Sequence, residues 1–303
     1  MEERTPGWDF AVAAPGSAPG VVSMVGYRAL EVPDAVHRGL PSPWLTFIVS
    51  LDDGVQAADT AEALATAAPA PLILGGLHVR ASHVRQCSAQ SGVQLAVHPL
   101  ASRALFGRPC SELSVADFDA SAVLGRPARQ LWDRLTEGPA WPEAFALVAG
   151  YLVQASRDRP GSAVRPELAH AWDLLERSRG RAGVTWLAEQ VGVTPRHLST
   201  LFRLEVGRSP KTVAMLMRFQ HATARITQAV RQSGRVDLAG VAAATGYCDQ
   251  AHLCHEFVRF AGVPPRVWLA EEFRNIQDGG HGDWSEYEHD EFEPDGLVGL
   301  SGH

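Results

Sequence analysis

The sequence predicts an α+β protein, with an N-terminal half built on a small β-barrel or sandwich and an all-helical C-terminal half. Short runs rich in Val, Ile, Leu and Phe, bounded by Gly, Pro, Asp and Ser, fill residues 21–99 and are typical of strands. From residue 167 to about 275, apolar residues recur every three or four positions, which is the period of helices. With 303 residues, 46 % of them hydrophobic, the chain is long enough for two cores.

Changes of composition along the chain place the elements and the boundaries between them. Strands are expected in the four runs "VVSMVGYRALEV", "WLTFIVSL", "PLILGGLHV" and "GVQLAVHP", and helices at 101–106 and 127–156. "AVAAPGSAPG" near the start and "SRDRPGSAVRP" after the last of these helices have the composition of flexible segments. The predicted parts are a flexible arm, a sensor or dimerisation domain with trailing helices, a linker, a helical domain and a disordered acidic tail, at residues 1–20, 21–157, 158–166, 167–275 and 276–303.

Charge is distributed unevenly along the helical half and the tail. Residues 165–274 hold fifteen Lys and Arg against ten Asp and Glu, whereas residues 275–303 hold eight acids and no base. A basic segment of this kind favours a phosphate-bearing partner. No apolar run is long enough to cross a membrane and no signal peptide precedes the first domain, so we expect a cytoplasmic protein without a membrane partner.

An internal repeat organises the helical half. "LAEQVGVTPRHLSTLFRLEVGRSP" at 187–210 aligns with "VAAATGYCDQAHLCHEFVRFAGVPP" at 241–265, with one inserted residue in the turn. Each copy predicts a short helix, a turn led by Gly and a second helix, N-capped by Thr194 in one copy and Asp249 in the other. The second helices are expected at about 195–206 and 250–261. This is a helix-turn-helix unit, present twice.

A cluster of potential metal ligands lies in the second copy, formed by Cys248, His252, Cys254 and His255. His252 aligns with His197 of the first copy, which has no cysteine beside it. Cys254 lies about 200° around the helix from His252, and zinc-type C-x2-C spacing is absent from the chain. We therefore expect no metal and no other cofactor.

Both copies resemble the signature of AraC-type transcription regulators. The residues that match are Asp249, His252, Leu253, Phe257, Gly262 and Pro265 in the second copy, and Leu198, Leu201, Phe202, Gly207, Ser209 and Pro210 in the first. "SPKTVAMLMRFQHATARI" is similar to the long helix that links the two units in that family, with Arg218 and Ala222 in register. Where the family often has Arg on each second helix, this chain has Thr200 and His255, so the usual target sequence is not carried over.

The resemblance implies a non-enzymatic, sequence-specific transcription regulator whose two recognition helices enter successive major grooves of double-stranded DNA. It places base contacts at Arg196, Ser199, Thr200, Gln250, Ala251, Cys254 and His255, and phosphate contacts at Arg203, Arg208, Lys211 and Arg259. It also implies RNA polymerase as a partner. Six apolar side chains are assigned to the core: Leu187, Leu198, Phe202, Leu253, Phe257 and Trp268.

The N-terminal half is similar to the sensor domains attached to AraC-type modules in actinobacterial regulators. That likeness implies a cupin-like barrel or sandwich that binds a small-molecule effector, while a domain that only forms a homodimer remains an alternative. A cupin-like metal enzyme or metal sensor using His37, His78, His83 and His98 is a remote alternative. The paired histidines one residue apart that such a metal needs are missing, and His78 and His83 would face opposite sides of a strand.

Overall fold

The computed structural model describes residues 7–30, 32–159 and 164–277. It has the predicted α+β class, with strands in the N-terminal half and helices in the C-terminal half. The strands of the described residues are β1 Gly7–Val12, β2 Val21–Leu30, β3 Ala35–Gly39, β4 Leu45–Ser50, β5 Ala57–Ala58, β6 Leu72–Gly75, β7 Ser82–Gln86 and β8 Ser91–Val97. The four predicted strand runs correspond to β2, β4, β6 and β8.

Two antiparallel sheets form the N-terminal half. One has the strand order β1-β2-β8-β4-β6, and the other has the order β3-β7-β5. No strand pairing joins the two sheets within the described ranges, so the predicted barrel is not closed and the two-sheet form is the one adopted. The sequence did not predict β3, β5 and β7, because β3 and β7 contain few apolar residues and β5 is only two residues long.

The expectation of a flexible arm at 1–20 is wrong for residues 7–12, which form a strand. Strand β1 lies inside it and pairs with β2 from Gly7 opposite Leu30 to Val12 opposite Val25. Trp8 and Phe10 are half-buried on either side of the exposed Asp9, and Trp8 packs against Tyr27 of β2 at a ring-centroid distance of 6.1 Å. Aromatic burial across the pair outweighs the flexible composition of the residues that follow.

Helices flank the sheets and form the whole C-terminal half. They are α1 Ala61–Leu64, α2 Ser102–Phe106, α3 Ser121–Leu135, α4 Trp141–Arg157, α5 Pro166–Arg177, α6 Val184–Gln190, α7 Pro195–Val206, α8 Pro210–Ser233, α9 Leu238–Thr245, α10 Gln250–Ala261 and α11 Pro265–Gln277. Helix α3 kinks at Gly125, where φ is 63°, two residues before a proline. No helix in the described part of the chain combines the length and apolarity needed to span a bilayer.

The two helix-turn-helix units are α6–α7 and α9–α10, and α8 joins them. The Thr194 hydroxyl accepts from the His197 backbone N–H at 3.1 Å, and the Asp249 carboxylate accepts from the His252 N–H at 2.7 Å. Both predicted N-caps are confirmed, and α7 and α10 have the predicted bounds. Each N-cap satisfies a backbone donor that the first turn would otherwise leave unpaired.

The boundary between the two main apolar clusters does not coincide with the boundary between the N-terminal and C-terminal halves of the sequence. One cluster runs from the sheets into the first helix-turn-helix unit, through Trp44, Trp172 and Phe202. A separate cluster holds the second unit on α8, with Phe219 in contact with Phe257 at 5.1 Å. All six side chains that the sequence assigned to the core are fully buried: Leu187, Leu198, Phe202, Leu253, Phe257 and Trp268.

The predicted tail at 276–303 lies almost entirely outside the described residues, which end at 277, and the predicted linker is described only at 158–159 and 164–166.

Candidate nucleic-acid interface and cavity

Helix α7 divides into a buried face and an exposed polar face. Leu198, Leu201 and Phe202 are buried, whereas Arg196 and Arg203 lie in solvent on the opposite side. The helix therefore presents a basic side chain near its N-terminus, the end that enters the groove in helix-turn-helix proteins.

The two hydroxyls predicted to contact bases on α7 already donate to the helix itself. Ser199 Oγ donates to the Pro195 carbonyl at 2.8 Å, and Thr200 Oγ1 donates to the Arg196 carbonyl at 3.0 Å. Each hydroxyl keeps its lone pairs, so in this rotamer it can accept from a base amino group.

Helix α10 presents a different set of side chains. Gln250, Ala251 and His255 are exposed, and Cys254 is half-buried against the core of the second unit. At these positions α10 carries an amide, a methyl, a thiol and an imidazole, whereas the exposed face of α7 carries the guanidinium groups of Arg196 and Arg203. The exposed faces of α7 and α10 therefore differ in chemistry.

Three of the four predicted phosphate contacts are exposed cations: Arg203, Lys211 and Arg259. The fourth, Arg208, is half-buried and its Nε donates to the Leu77 carbonyl of the N-terminal half at 2.7 Å. In this arrangement Arg208 binds the protein, so a phosphate contact by Arg208 requires that this hydrogen bond breaks.

A buried ion pair fixes α10 on α8. Arg218 Nη2 lies 2.9 Å from Glu256 Oε2 and 3.2 Å from Oε1, and Glu256 is only 3 % exposed. The Arg218 guanidinium also lies over the Tyr247 ring, 4.8 Å from its centroid. Sequence reasoning missed this pair, although an acid on the apolar face of a predicted recognition helix is the signal that points to it.

The N-terminal half contacts both helix-turn-helix units through polar groups. Arg103 forms a salt bridge with Glu205 of α7 at 2.7 Å. At the other unit, the Ala81 N–H donates to the Phe260 carbonyl of α10 at 2.7 Å, and Arg38 pairs with Glu271 of α11, the helix that follows this unit, at 3.0 Å. The position of each unit is therefore tied to the sheets as well as to α8.

The cluster of potential metal ligands in the second unit is organised by other contacts. His252 Nδ1 accepts from the Cys248 backbone N–H at 3.4 Å, and the imidazole packs edge-on against Tyr247 at 5.2 Å. Within residues 7–30, 32–159 and 164–277, no three His, Cys, Asp or Glu side chains are grouped so as to hold a metal ion.

The four histidines of the N-terminal half are not brought together at one point. His37 and His78 line a cavity, His83 belongs to β7, and His98 packs 4.9 Å from Trp172. Burial lowers the pKa of His98 to about 4.

A cavity of about 320 Å³ lies between the sheets and α8. Its sheet walls carry aromatic rings, among them Trp8, Phe10 and Tyr27, and α8 closes it with Gln220, Thr223, Ala224 and Thr227. This volume is in the range of small-molecule sites. Sequence reasoning did not find the cavity, because its walls come from strands and a helix that are distant in the sequence.

Residues 187–271, from α6 into α11, match a family model described as a helix-turn-helix domain. No curated protein matches the chain. Among solved structures, the chain is similar to a transcriptional regulator from Chromobacterium violaceum, described as an AraC-type DNA-binding domain-containing protein, with 23 % identity over 35 % of this chain and 91 % of that one and a TM-score of 0.30.

Two structures of ToxT from Vibrio cholerae are similar over most of the chain. One shares 9 % identity over 88 % of this chain and 98 % of that one, with a TM-score of 0.47. The other, bound to (E)-4-(8-methylnaphthalen-1-yl)but-3-enoic acid, shares 11 % identity over 88 % and 99 %, with a TM-score of 0.45.

Proposed function

We propose that the chain is a sequence-specific transcription regulator of the AraC type that is controlled by a small-molecule effector bound in its cavity. The match of residues 187–271 to a helix-turn-helix domain supports the DNA-binding part of this proposal. The observation that carries the proposal is the pair of helix-turn-helix units on one connecting helix, each with an exposed polar recognition face. The protein acts by binding DNA and not by catalysis.

The length of α8 suits simultaneous binding of both units to one face of DNA. Its 24 residues span about 36 Å at 1.5 Å per residue. Successive major grooves on one face of B-DNA are about 34 Å apart. A single continuous helix between the units therefore supports contact of α7 and α10 with adjacent grooves.

Direct base recognition is proposed chiefly for Arg196 and Gln250. An exposed guanidinium can form two hydrogen bonds with guanine, and an exposed carboxamide can form two with adenine. Ala251 is proposed to contact a thymine methyl group. Arg203 and Arg259 are proposed to bind phosphates and contribute affinity without base preference.

The cavity offers a route from effector to DNA because α8 is both its wall and the connection between the two units. A ligand that contacts Gln220, Thr223 and Thr227 bears directly on the helix that sets the separation of α7 and α10. This placement supports an effector-binding role over a purely dimerising one. Homodimerisation through the N-terminal half and contact with RNA polymerase remain parts of the proposal.

The proposal is tested with the full chain on DNA selected from random duplexes. Arg196→Ala and Gln250→Ala should each relax discrimination at one position of the site, by about 1–3 kcal/mol. Arg259→Ala should weaken binding to all sequences alike and reduce the salt dependence. Arg157→Ala, an exposed arginine of α4, is the matched control and should change neither.

Two results would contradict this assignment. If the wild-type chain bound no duplex at low salt, the DNA-binding role would be wrong. If Arg196→Ala lowered affinity uniformly while base preference stayed intact, direct recognition by Arg196 would be wrong and a phosphate contact would replace it.

A further inference from the structure

The cavity between the sheets and α8 is lined without charged side chains. Among the described residues that form its walls, none is Arg, Lys, Asp or Glu. A charged ligand in this cavity would lose part of its hydration without gaining an opposite charge from the walls.

The titratable groups of the walls are neutral or already paired. Burial lowers the pKa of His78 below its ordinary value and raises the pKa of Tyr27, so both side chains are uncharged at pH 7. His37 Nδ1 lies 3.0 Å from Glu272 Oε2, which matches any charge on this imidazole with a carboxylate of α11.

The charged groups just outside the walls are bound to protein partners. Arg208, near His78, donates to the Leu77 carbonyl. The Glu272 carboxylate accepts from the Arg38 backbone N–H at 3.0 Å as well as from His37. A charged ligand could recruit one of them only by breaking contacts that hold the N-terminal half to a helix-turn-helix unit.

The aromatic side chains of the wall favour a ligand with an apolar or aromatic part. Trp8 and Phe10 stack nearly parallel, with ring centroids 5.9 Å apart and an interplanar angle of 16°. Trp8 also packs against Tyr27 at an interplanar angle of 57°, so the three rings together form an apolar, aromatic part of the wall.

Neutral hydrogen-bonding groups also line the cavity. Carboxamides of Gln90, Gln94 and Gln220 and the hydroxyls of Thr46 and Thr223 supply both donors and acceptors. Such groups pair well with hydroxyl, carbonyl and amide functions of a ligand.

We propose that the effector is an uncharged, partly aromatic molecule carrying hydroxyl or carbonyl groups, and that the cavity discriminates against carboxylates and amines of the same shape. This inference rests on the proposed effector role of the cavity.

The test is a titration of the full-length protein with three probes that share one ring system and differ in charge: 1-naphthalenemethanol, 1-naphthoate and 1-naphthylmethylammonium. Binding is followed by calorimetry and by the tryptophan fluorescence of the chain. The alcohol should bind at least 10-fold more tightly than either ion, a difference of about 1.4 kcal/mol.

Two variants of a wall residue change the charge of the cavity. Gln94 is exposed on β8 and lines the cavity, so its replacement leaves the core intact. Gln94→Arg should raise affinity for the naphthoate at least 10-fold, and Gln94→Glu should do the same for the ammonium. Gln130→Arg, on an exposed position of α3 outside the cavity, is the control and should leave all three affinities unchanged.

Different failures separate this inference from the proposed effector role. If the naphthoate or the ammonium bound the wild type as tightly as the alcohol, discrimination by charge would be refuted while the cavity kept its effector role. If no probe bound the wild type or either Gln94 variant, the cavity would not be an effector site and both proposals would fall. Specific DNA binding without effector is a separate measurement and would be unaffected.

Discussion

Replacing Arg218 should destabilise the second helix-turn-helix unit far more than replacing any surface arginine. The side chain is the partner of Glu256, a carboxylate that is 3 % exposed and packed between α8 and α10. Arg218→Met keeps most of the aliphatic volume but leaves this carboxylate buried without a counter-charge, which costs about 3–5 kcal/mol.

Protonation of the unpaired Glu256 carboxylate limits the loss of folding free energy caused by Arg218→Met. A carboxylate left alone can bind a proton, and for a glutamic acid in water, which titrates near pH 4.3, protonation costs about 3.7 kcal/mol at pH 7. At pH 5 the same protonation costs about 1 kcal/mol. The destabilisation by Arg218→Met should therefore lie near 3–4 kcal/mol at pH 7 and shrink markedly towards pH 5.

The pair is measured with a double-mutant cycle. Glu256→Leu alone leaves Arg218 over the Tyr247 ring and able to reach water, so its cost should be about 1 kcal/mol. The double variant removes both charges and should recover at least 2 kcal/mol relative to Arg218→Met. Arg203→Met, at an exposed position of α7, is the matched control and should change the free energy of unfolding by less than about 0.5 kcal/mol.

The assay is urea unfolding followed by circular dichroism, together with hydrogen exchange of α10, which reports on the second unit alone. A coupling energy below about 0.5 kcal/mol, or a penalty that does not fall between pH 7 and pH 5, would refute the reasoning. In either case the packing of Phe219 on Phe257 and not the ion pair would hold α10 in place.

Acid should also destabilise the chain through two histidines with pKa values of about 4, His98 through burial and His221 through burial and neighbouring arginines. Both pKa values lie below the ordinary 6.5, so the contribution of these neutral imidazoles to folding stability is fully present above pH 6.5 and is lost as the pH falls towards 4. NMR titration of the two imidazoles measures their pKa values, and values near 6.5 would contradict the prediction. Purified protein should contain no stoichiometric zinc, and elemental analysis that found one zinc per chain would overturn this expectation. Deletion of residues 278–303, which carry the acids that follow the helical half, should tighten binding to random duplex DNA, and most at low salt. If the full-length and truncated chains had equal affinities at each of two ionic strengths, these residues would not compete with DNA.

Local signals made the second half predictable. Thr194 and Asp249 are side-chain N-caps directly before apolar positions of helical period, so the bounds of α7 and α10 follow from residues adjacent in the sequence. The same holds for the buried face of each helix. The strands β2 and β8 were likewise predictable, because each is a long run of apolar residues.

Features built from distant residues were not predictable. Strand β1 is stabilised by its pairing with β2, and the cavity exists only because α8 packs across the sheets. The ion pair of Arg218 and Glu256 joins positions 38 residues apart, and periodicity carries no information on such a partner. The family resemblance assigned Arg208 to a phosphate contact. Its hydrogen bond to the Leu77 carbonyl was not predictable, because that bond depends on how the N-terminal half packs against the helices.

The core shared by the sheets and the first helix-turn-helix unit determines what a truncation experiment can mean. Trp172 of α5 lies against Trp44 and His98 of the N-terminal half on one side and Phe202 of α7 on the other. Cutting the chain in the segment before α5 would expose this indole and the apolar side chains around it. The first unit and the sheets should unfold as one cooperative block, while the second unit, which has a core of its own on α8, should unfold more independently of them. A fragment that begins at α5 and fails to bind DNA would therefore report a damaged core, and point substitutions in the cavity are the sounder way to separate effector control from folding.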